Sequence, residues 1–190
     1  MPIFKNKYFL IIQSIKDIDL RKIKIANKFS IIYRNINKLE NINKLLKFRK
    51  LCKIKRINFF VANNAHLAII LMSDGIYISA KNSDLRLTKL KKLNFKLIGS
   101  AHNIRELNTK VLQGCTDIFF SRLFKTSYKF KKGFLGVVKF NLLNLSRKEN
   151  LTPLGGIRLS NLNQLKLVSS SSFALMSEVK KKPAILSRLF

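Results

Sequence analysis

Residues 95–121 read FKLIGSAHNIRELNTKVLQGCTDIFFS and hold one complete strand–helix–strand unit. Phe95 to Ile98 is a short apolar run of strand composition. Asn103 offers a capping side chain, and Glu106 follows three residues on, a variant of the capping box. The helix that starts there runs to Gln113 and stops at Gly114, a residue suited to the left-handed turn that ends helices. Thr116 to Ser121 returns to strand. A crossover helix of this length returns the chain parallel to where it began.

The same alternation extends both ways from this unit. Upstream, residues 8–12, 29–33, 57–61 and 75–78 are aromatic and β-branched runs, each predicted as a strand. Between them, residues 17–28, 66–72 and 85–93 are predicted as helical. Leu39, Ile42, Leu45, Leu46, Phe48 and Cys52 recur at three- and four-residue steps, the period of an amphipathic helix. Downstream, a loop of lysines and aromatics spans 122–134, and Val137 to Leu145 is helical. Leu151 to Leu154 is a strand, Ser160 is expected to cap a helix through Leu167, and Phe173 to Met176 is a last strand. The tail from Glu178 reads as a closing helix broken near Pro183. Eight strand–helix units predict an α/β protein with a parallel sheet and helices outside. Closure gives a compact (β/α)8 TIM barrel occupying residues 1–190 as a single domain, short for its kind. The doubly wound open sheet is the alternative.

Composition bounds the function. The chain has 190 residues and is 47% hydrophobic, enough for a packed core in spite of a formal net charge of +29. No run of about 18 uninterrupted apolar residues exists, which argues against a membrane-spanning helix. The N-terminal segment has basic residues before a short apolar run but no small-residue cleavage site, so it reads as a strand and the chain as cytoplasmic. Cys52 and Cys115 form no C-x-x-C pair and have no histidine at ligand spacing, so they read as reduced core thiols. The charge has two readings. Lysines number 28 against 10 arginines, and Ile, Asn and Phe are abundant, a composition that A/T-rich codons produce unaided. A basic nucleic-acid-binding, ribosome-associated protein without enzymatic activity is the other reading, although no RNP motif, zinc finger or arginine-rich arm is present.

Several segments, in order, carry a resemblance. Asp74-Gly75-Ile76-Tyr77-Ile78 resembles the A-D-G-V-H-L strand of the thiamin-phosphate synthase/TenI family. Residues 97–103, followed by Gly114, are similar to its I-G-x-S-x-H-S…G-A-D. Arg122-Leu123-Phe124-Lys125-Thr126, then Leu135-Gly136, resembles P-V-F-P-T…L-G. Leu154-Gly155-Gly156-Ile157 and residues 173–177 are similar to the family's G-G-I and V-A-V-I-S strands. The resemblance covers roughly residues 8 to 179 and implies a compact TIM barrel of about this length.

It also implies chemistry. The family's synthase joins a pyrimidine pyrophosphate to a thiazole phosphate, with Mg2+ holding the pyrophosphate. By position, Arg34 matches the Arg of a Q-x-R-x-K motif and would grip pyrophosphate, while its neighbours Ile32 and Ile36 replace the Gln and Lys. Ser100, Thr126 and Lys129 fall at substrate-facing polar positions. Gly155, Gly156 and Ser177 would offer backbone N–H groups to a phosphate, which agrees with the recurrent phosphate site after strands seven and eight of such barrels. Asn63 and Asn82 occupy the two metal-ligand positions as neutral amides, so Mg2+ binding is expected to be weak. Arg122 replaces the acid/base histidine of the tautomerase branch and is a poor proton shuttle; with Arg34 and Lys129 it would instead bind substrate by facing a phosphate. His66 reads as a surface or capping residue, His102 as a rim histidine and Asp74 as a turn residue. The expectation is a divergent protein of thiamin biosynthesis that binds a phosphorylated thiazole or pyrimidine precursor, either as a transferase or as a binding-only relative.

Overall fold

Strand pairing in a computed structural model runs β1 to β8 in sequence order and closes on itself. Residues 7–23, 26–35, 40–126 and 133–176 are described. The strands are β1 (Lys7–Ile12), β2 (Phe29–Tyr33), β3 (Asn58–Ala62), β4 (Gly75–Ile78), β5 (Lys96–Ala101), β6 (Asp117–Ser121), β7 (Asn150–Leu154) and β8 (Ser172–Leu175). Every neighbouring pair is parallel, and β8 returns to β1 with Lys7 opposite Ser172 and Leu10 opposite Leu175. The fold is therefore the predicted (β/α)8 barrel rather than an open sheet.

Alternation along each strand divides the core in two. Phe9, Ile11, Ile32, Phe60, Tyr77, Ile98, Phe119 and Ala174 point inward and form one buried cluster inside the barrel. Their neighbours, among them Leu10, Ile31, Phe59, Ile76, Leu97, Ile118 and Phe173, point outward into a second cluster under the helices. Burial on both faces is what makes such strands read as continuous apolar runs. Four α-helices pack outside: α1 (Ile42–Ile54), α2 (Ala65–Ile70), α3 (Ile104–Leu112) and α4 (Gly136–Leu145). Asn103 caps α3 as expected, accepting from the Glu106 N–H at 2.9 Å. Gly114 follows with φ +73°.

Three helical expectations are corrected. Residues 17–28 do not form one helix; the chain makes short 3-10 turns at Ile15–Asp17, Leu20–Lys22 and Ala26–Lys28. Ile18, Leu20 and Ile23 are the buried residues there, and their spacing fits no single helical face. Asp19 also caps the second turn locally by accepting from the Arg21 N–H. Residues Leu85–Leu93 and Leu159–Leu167 are helical but wound as 3-10. In each, the leucines recur every three residues (87, 90, 93 and 159, 162, 165), the 3-10 period, which stacks them on one face. Ser160 lies inside the second segment instead of capping it. Asn161 makes the local contacts, accepting from Arg158 N–H and donating to the Gly156 carbonyl, both at 2.8 Å. The closing helix expected from Glu178 lies outside the described residues. Among the described residues no helix is long and apolar enough to cross a membrane.

The N-terminal end of the barrel is built for stability. Asp74, just before β4, accepts from the Phe59 N–H at 2.6 Å and from the Arg49 guanidinium at 2.9 Å. Its role is the turn role that its position predicts. Cys52 and Cys115 are both free and buried, and desolvation pushes each thiol up to about 12, far from the range of a reactive thiolate. Gly75 is required by contact: a Cβ there would stand 2.0 Å from the Lys96 carbonyl oxygen on β5. Gly75→Ala is expected to destabilise the fold by about 3 kcal/mol, the upper end of overpacking costs, read as a lowered urea midpoint. An unchanged midpoint would show that β4 and β5 have room to part.

Candidate functional site at the barrel mouth

One step beyond the filled interior, the C-terminal ends of the strands carry polar side chains. Three hydrogen-bonded groups lie around this rim, each joining neighbouring strands or loops.

The first joins the loops after β3 and β4. Asn63 follows β3 with φ 56°, a left-handed conformation that Asn tolerates better than most residues. Its Oδ1 accepts from the Ser79 N–H at 2.9 Å and from the Asn82 amide at 3.3 Å. Its Nδ2 donates to Ser79 Oγ at 3.0 Å. The two neutral amides thus meet each other. Behind them, Lys110 of α3 is completely buried and donates to the Asn82 carbonyl and to Gln113 Oε1. Gln113 Nε2 donates to the carbonyls of Asn82 and Asp84, both at 3.1 Å. Gly99 leaves the space for this lysine, since a Cβ there would stand 2.8 Å from its Cδ.

The second group lies across β4, β5 and β6. Tyr77 is buried inside the barrel, with Ser100 and Arg34 near enough to act on its hydroxyl. Burial pushes its hydroxyl above the ordinary tyrosine range. Arg34 is half-buried at the end of β2, where its N–H donates to the Ile12 carbonyl at 2.8 Å. His102, after β5, places Nδ1 3.0 Å from Ser121 Oγ on β6. Its backbone N–H donates to Glu106 at 2.7 Å. His66 is exposed on α2, and the cap of that helix is Asn64, which accepts from the Leu67 N–H.

The third group follows β6 and β7. Arg122 donates to Thr126 Oγ1 at 2.9 Å. Gly155 and Gly156 have φ +91° and +73°. A Cβ on Gly156 would stand 2.3 Å from the Phe124 carbonyl oxygen, so the glycine pair is also what lets the post-β6 loop lie close. The Gly155 carbonyl accepts from the Phe124 N–H at 3.1 Å, and the Gly156 carbonyl accepts from Asn161. Lys129 and Ser177 lie outside the described residues.

Of the residues predicted from sequence, Asn63 meets Asn82, and Arg122 meets Thr126. Ser100 and Arg34 both lie near Tyr77. The sequence reading missed Tyr77, Lys110, Gln113 and the His102–Ser121 pair. Lys110 left a signal, since it lies three residues after Leu107 on the buried face of α3. The others depend on which strand lies beside which.

A family model described as thiamine monophosphate synthase (TMP-TENI) matches residues 19–179. The chain belongs to this family. It is similar to the thiamine-phosphate synthase of Prochlorococcus marinus strain AS9601, 31% identical over 130 residues, covering 66% of this chain and 36% of that one. The Methanococcus vannielii thiamine-phosphate synthase is 28% identical over 125 residues, covering 64% and 59%. The chain thus spans about a third of the length of its Prochlorococcus relatives. Among solved structures, the thiamine phosphate pyrophosphorylase of Pyrococcus furiosus superposes with a TM-score of 0.72 at 17% identity, covering 98% of this chain and 94% of that one. KGPDC from Streptococcus mutans follows the same fold at a TM-score of 0.66 and 9% identity, covering 97% and 95%.

In this family member, the buried lysine gives the mouth a measurable signature. Desolvation holds the Lys110 ammonium below the ordinary lysine value of 10.5. The unfolded chain keeps that proton up to the ordinary value, whereas the folded chain releases it earlier. In that window the unfolded state binds more protons, so stability rises with pH. Urea midpoints of the wild type minus those of Lys110→Met are expected to climb as pH approaches 10.5. A flat difference would show that the ammonium is not desolvated in the folded protein.

Proposed function

We propose that this chain acts in thiamin biosynthesis, binding a phosphorylated thiazole or pyrimidine precursor at the C-terminal mouth of the barrel. Family membership supports the substrate class. The observation that carries the reading at residue level is the Gly155–Gly156 turn beside Arg122: both glycine carbonyls are turned to protein donors, and the Arg122 side chain leaves β6 beside Gly155 with its guanidinium on Thr126. Backbone N–H groups and an arginine fork are the standard partners of a phosphate. Ser177 and Lys129 are proposed to complete that end. Arg34, Ser100 and Thr126 are proposed to meet the rest of the ligand.

The reading is tested by titrating purified protein with the thiazole phosphate in a calorimeter. Arg122→Ala is expected to weaken binding about tenfold or more, the cost of a charged hydrogen-bonding partner. Absence of binding to both precursors by the wild type would end the proposal.

Asn63 and Asn82 do not suit Mg2+. A hard dication relies on carboxylate charge, and these amides are neutral and already bonded to each other and to Ser79. The reading therefore has Mg2+ binding weakly. The double variant Asn63→Asp/Asn82→Asp is expected to raise Mg2+ affinity at least tenfold over the wild type in direct titration. Equal affinities would mean that these positions do not face a metal.

A second reading is favoured by α1, where Lys44, Lys47, Lys50 and Lys53 are all exposed. Such a surface suits RNA phosphates. It requires tight RNA binding that falls steeply with salt, and salt-insensitive or absent binding rejects it.

A further inference from the structure

The rim places charged and proton-carrying groups in distinct roles. Arg34 and Arg122 carry permanent charge. Asn63, Asn82 and Ser79 carry none. Tyr77 is sealed inside the barrel, and Lys110 is sealed behind β5. Asp84 is engaged by Arg86 at 2.9 Å, and Glu106 is engaged by the His102 backbone N–H. Among the described residues two exposed imidazoles remain at this end, His66 on α2 and His102 after β5, side chains of the kind that transfer protons. Of the two, His102 is the one whose ring is held from the neighbouring strand, through Ser121 Oγ at 3.0 Å. The rim therefore combines fixed cations, a positioned imidazole and amides at the metal positions.

We propose that this mouth releases a pyrophosphate leaving group without a divalent cation, His102 donating the proton that the departing oxygen takes up. The inference rests on the thiamin-precursor reading and extends it to the condensation. The bond between the pyrimidine's carbon and the pyrophosphate oxygen breaks with its electron pair on oxygen. That oxygen takes the proton from Nε2 of protonated His102, and Arg34 faces the remaining negative charge. The thiazole ring nitrogen supplies the electron pair of the new carbon–nitrogen bond. His102, now neutral, keeps its Nδ1–H on Ser121 and regains a proton from solvent as product leaves. Ser121 is a positioning residue: its hydroxyl engages Nδ1 and orients the ring, so that Nε2 is the nitrogen left to exchange the proton.

The test follows pyrophosphate release from both precursors, in excess EDTA and again with Mg2+. Wild-type protein is expected to turn over in EDTA at a rate within about threefold of that with Mg2+. His102→Gln should lower kcat about 100-fold while leaving thiazole-phosphate binding unchanged, and added imidazole should restore part of the activity of His102→Gly. Ser121→Ala should lose about tenfold in kcat, with Ser121→Thr restoring it. Turnover abolished by EDTA, or a His102→Gln variant at the wild-type rate, overturns the inference and leaves the condensation reading standing. Thiazole-phosphate binding without turnover in either condition removes both the inference and the condensation, leaving a binding protein. The EDTA comparison uses the wild type alone, so it decides even if a variant fails to fold.

Discussion

Pairing of β8 with β1 removes the last free edge of the sheet, and the rest of the structure depends on that closure. Once closed, the barrel has an inside that only alternate residues can reach. Phe9, Ile11, Ile32, Phe60, Tyr77, Ile98, Phe119 and Ala174 fill it as a dry plug. Water and ligands are then confined to the ends. At the N-terminal end, the Asp74 contacts and the close approach of Gly75 to Lys96 tie β3, β4 and β5 together. At the C-terminal end, each strand presents one or two further residues beyond the plug, and the polar groups of the mouth are these residues. The division between a stabilising end and a chemical end is thus a consequence of closure.

Charge sharpens the picture at the mouth. The chain has only nine acidic residues for 38 basic ones, and most of those described have local structural work. Asp17 and Asp19 cap short turns, and Glu40 holds Ser14 and the Ile15 N–H. Asp74 ties β3 to Arg49, Asp84 caps the 85–93 segment, Glu106 braces the start of α3, and Asp117 accepts from Asn150. The exposed pairs Arg21–Asp19 and Arg86–Asp84 contribute little to stability, since water screens them. Their carboxylates matter as caps. With acids committed in this way and amides at positions 63 and 82, the mouth is balanced toward positive charge.

Much of the fold was legible because each strand is buried on both faces. A strand with two buried faces calls for apolar residues at nearly every position, as Phe29 to Tyr33 has apart from Ser30, and such runs stand out from amphipathic helices. Residues 85–93 and 159–167 were harder, since leucines at three-residue steps fit α-helical and 3-10 windings almost equally in a short segment. The individual rim residues Arg34, Asn63, Asn82 and Arg122 were legible through the family resemblance. Their partnerships were not. Ser121 reaches His102 across 19 residues of sequence, and Gln113 reaches Asn82 across 31. Those contacts follow from strand order and register, which no local pattern encodes.

Lys110 shows how such long-range contacts hold the mouth in place. A fully buried ammonium is costly unless its donors are met, and here they are met by a carbonyl and an amide oxygen instead of a carboxylate. The price of desolvation is visible in the lowered proton affinity of the lysine. What the fold gains is a rigid back wall: α3, through Lys110 and Gln113, fixes the backbone of residues 82–84 from behind. Asn82 can then hold its amide on Asn63 without spending flexibility of its own, and Gly99 is small because the lysine stem must pass over β5 to get there. The same helix, through Glu106, braces His102 at the other end of its first turn. One helix thus positions both the amide pair and the imidazole, so a change in the packing of α3 would be felt at both groups together.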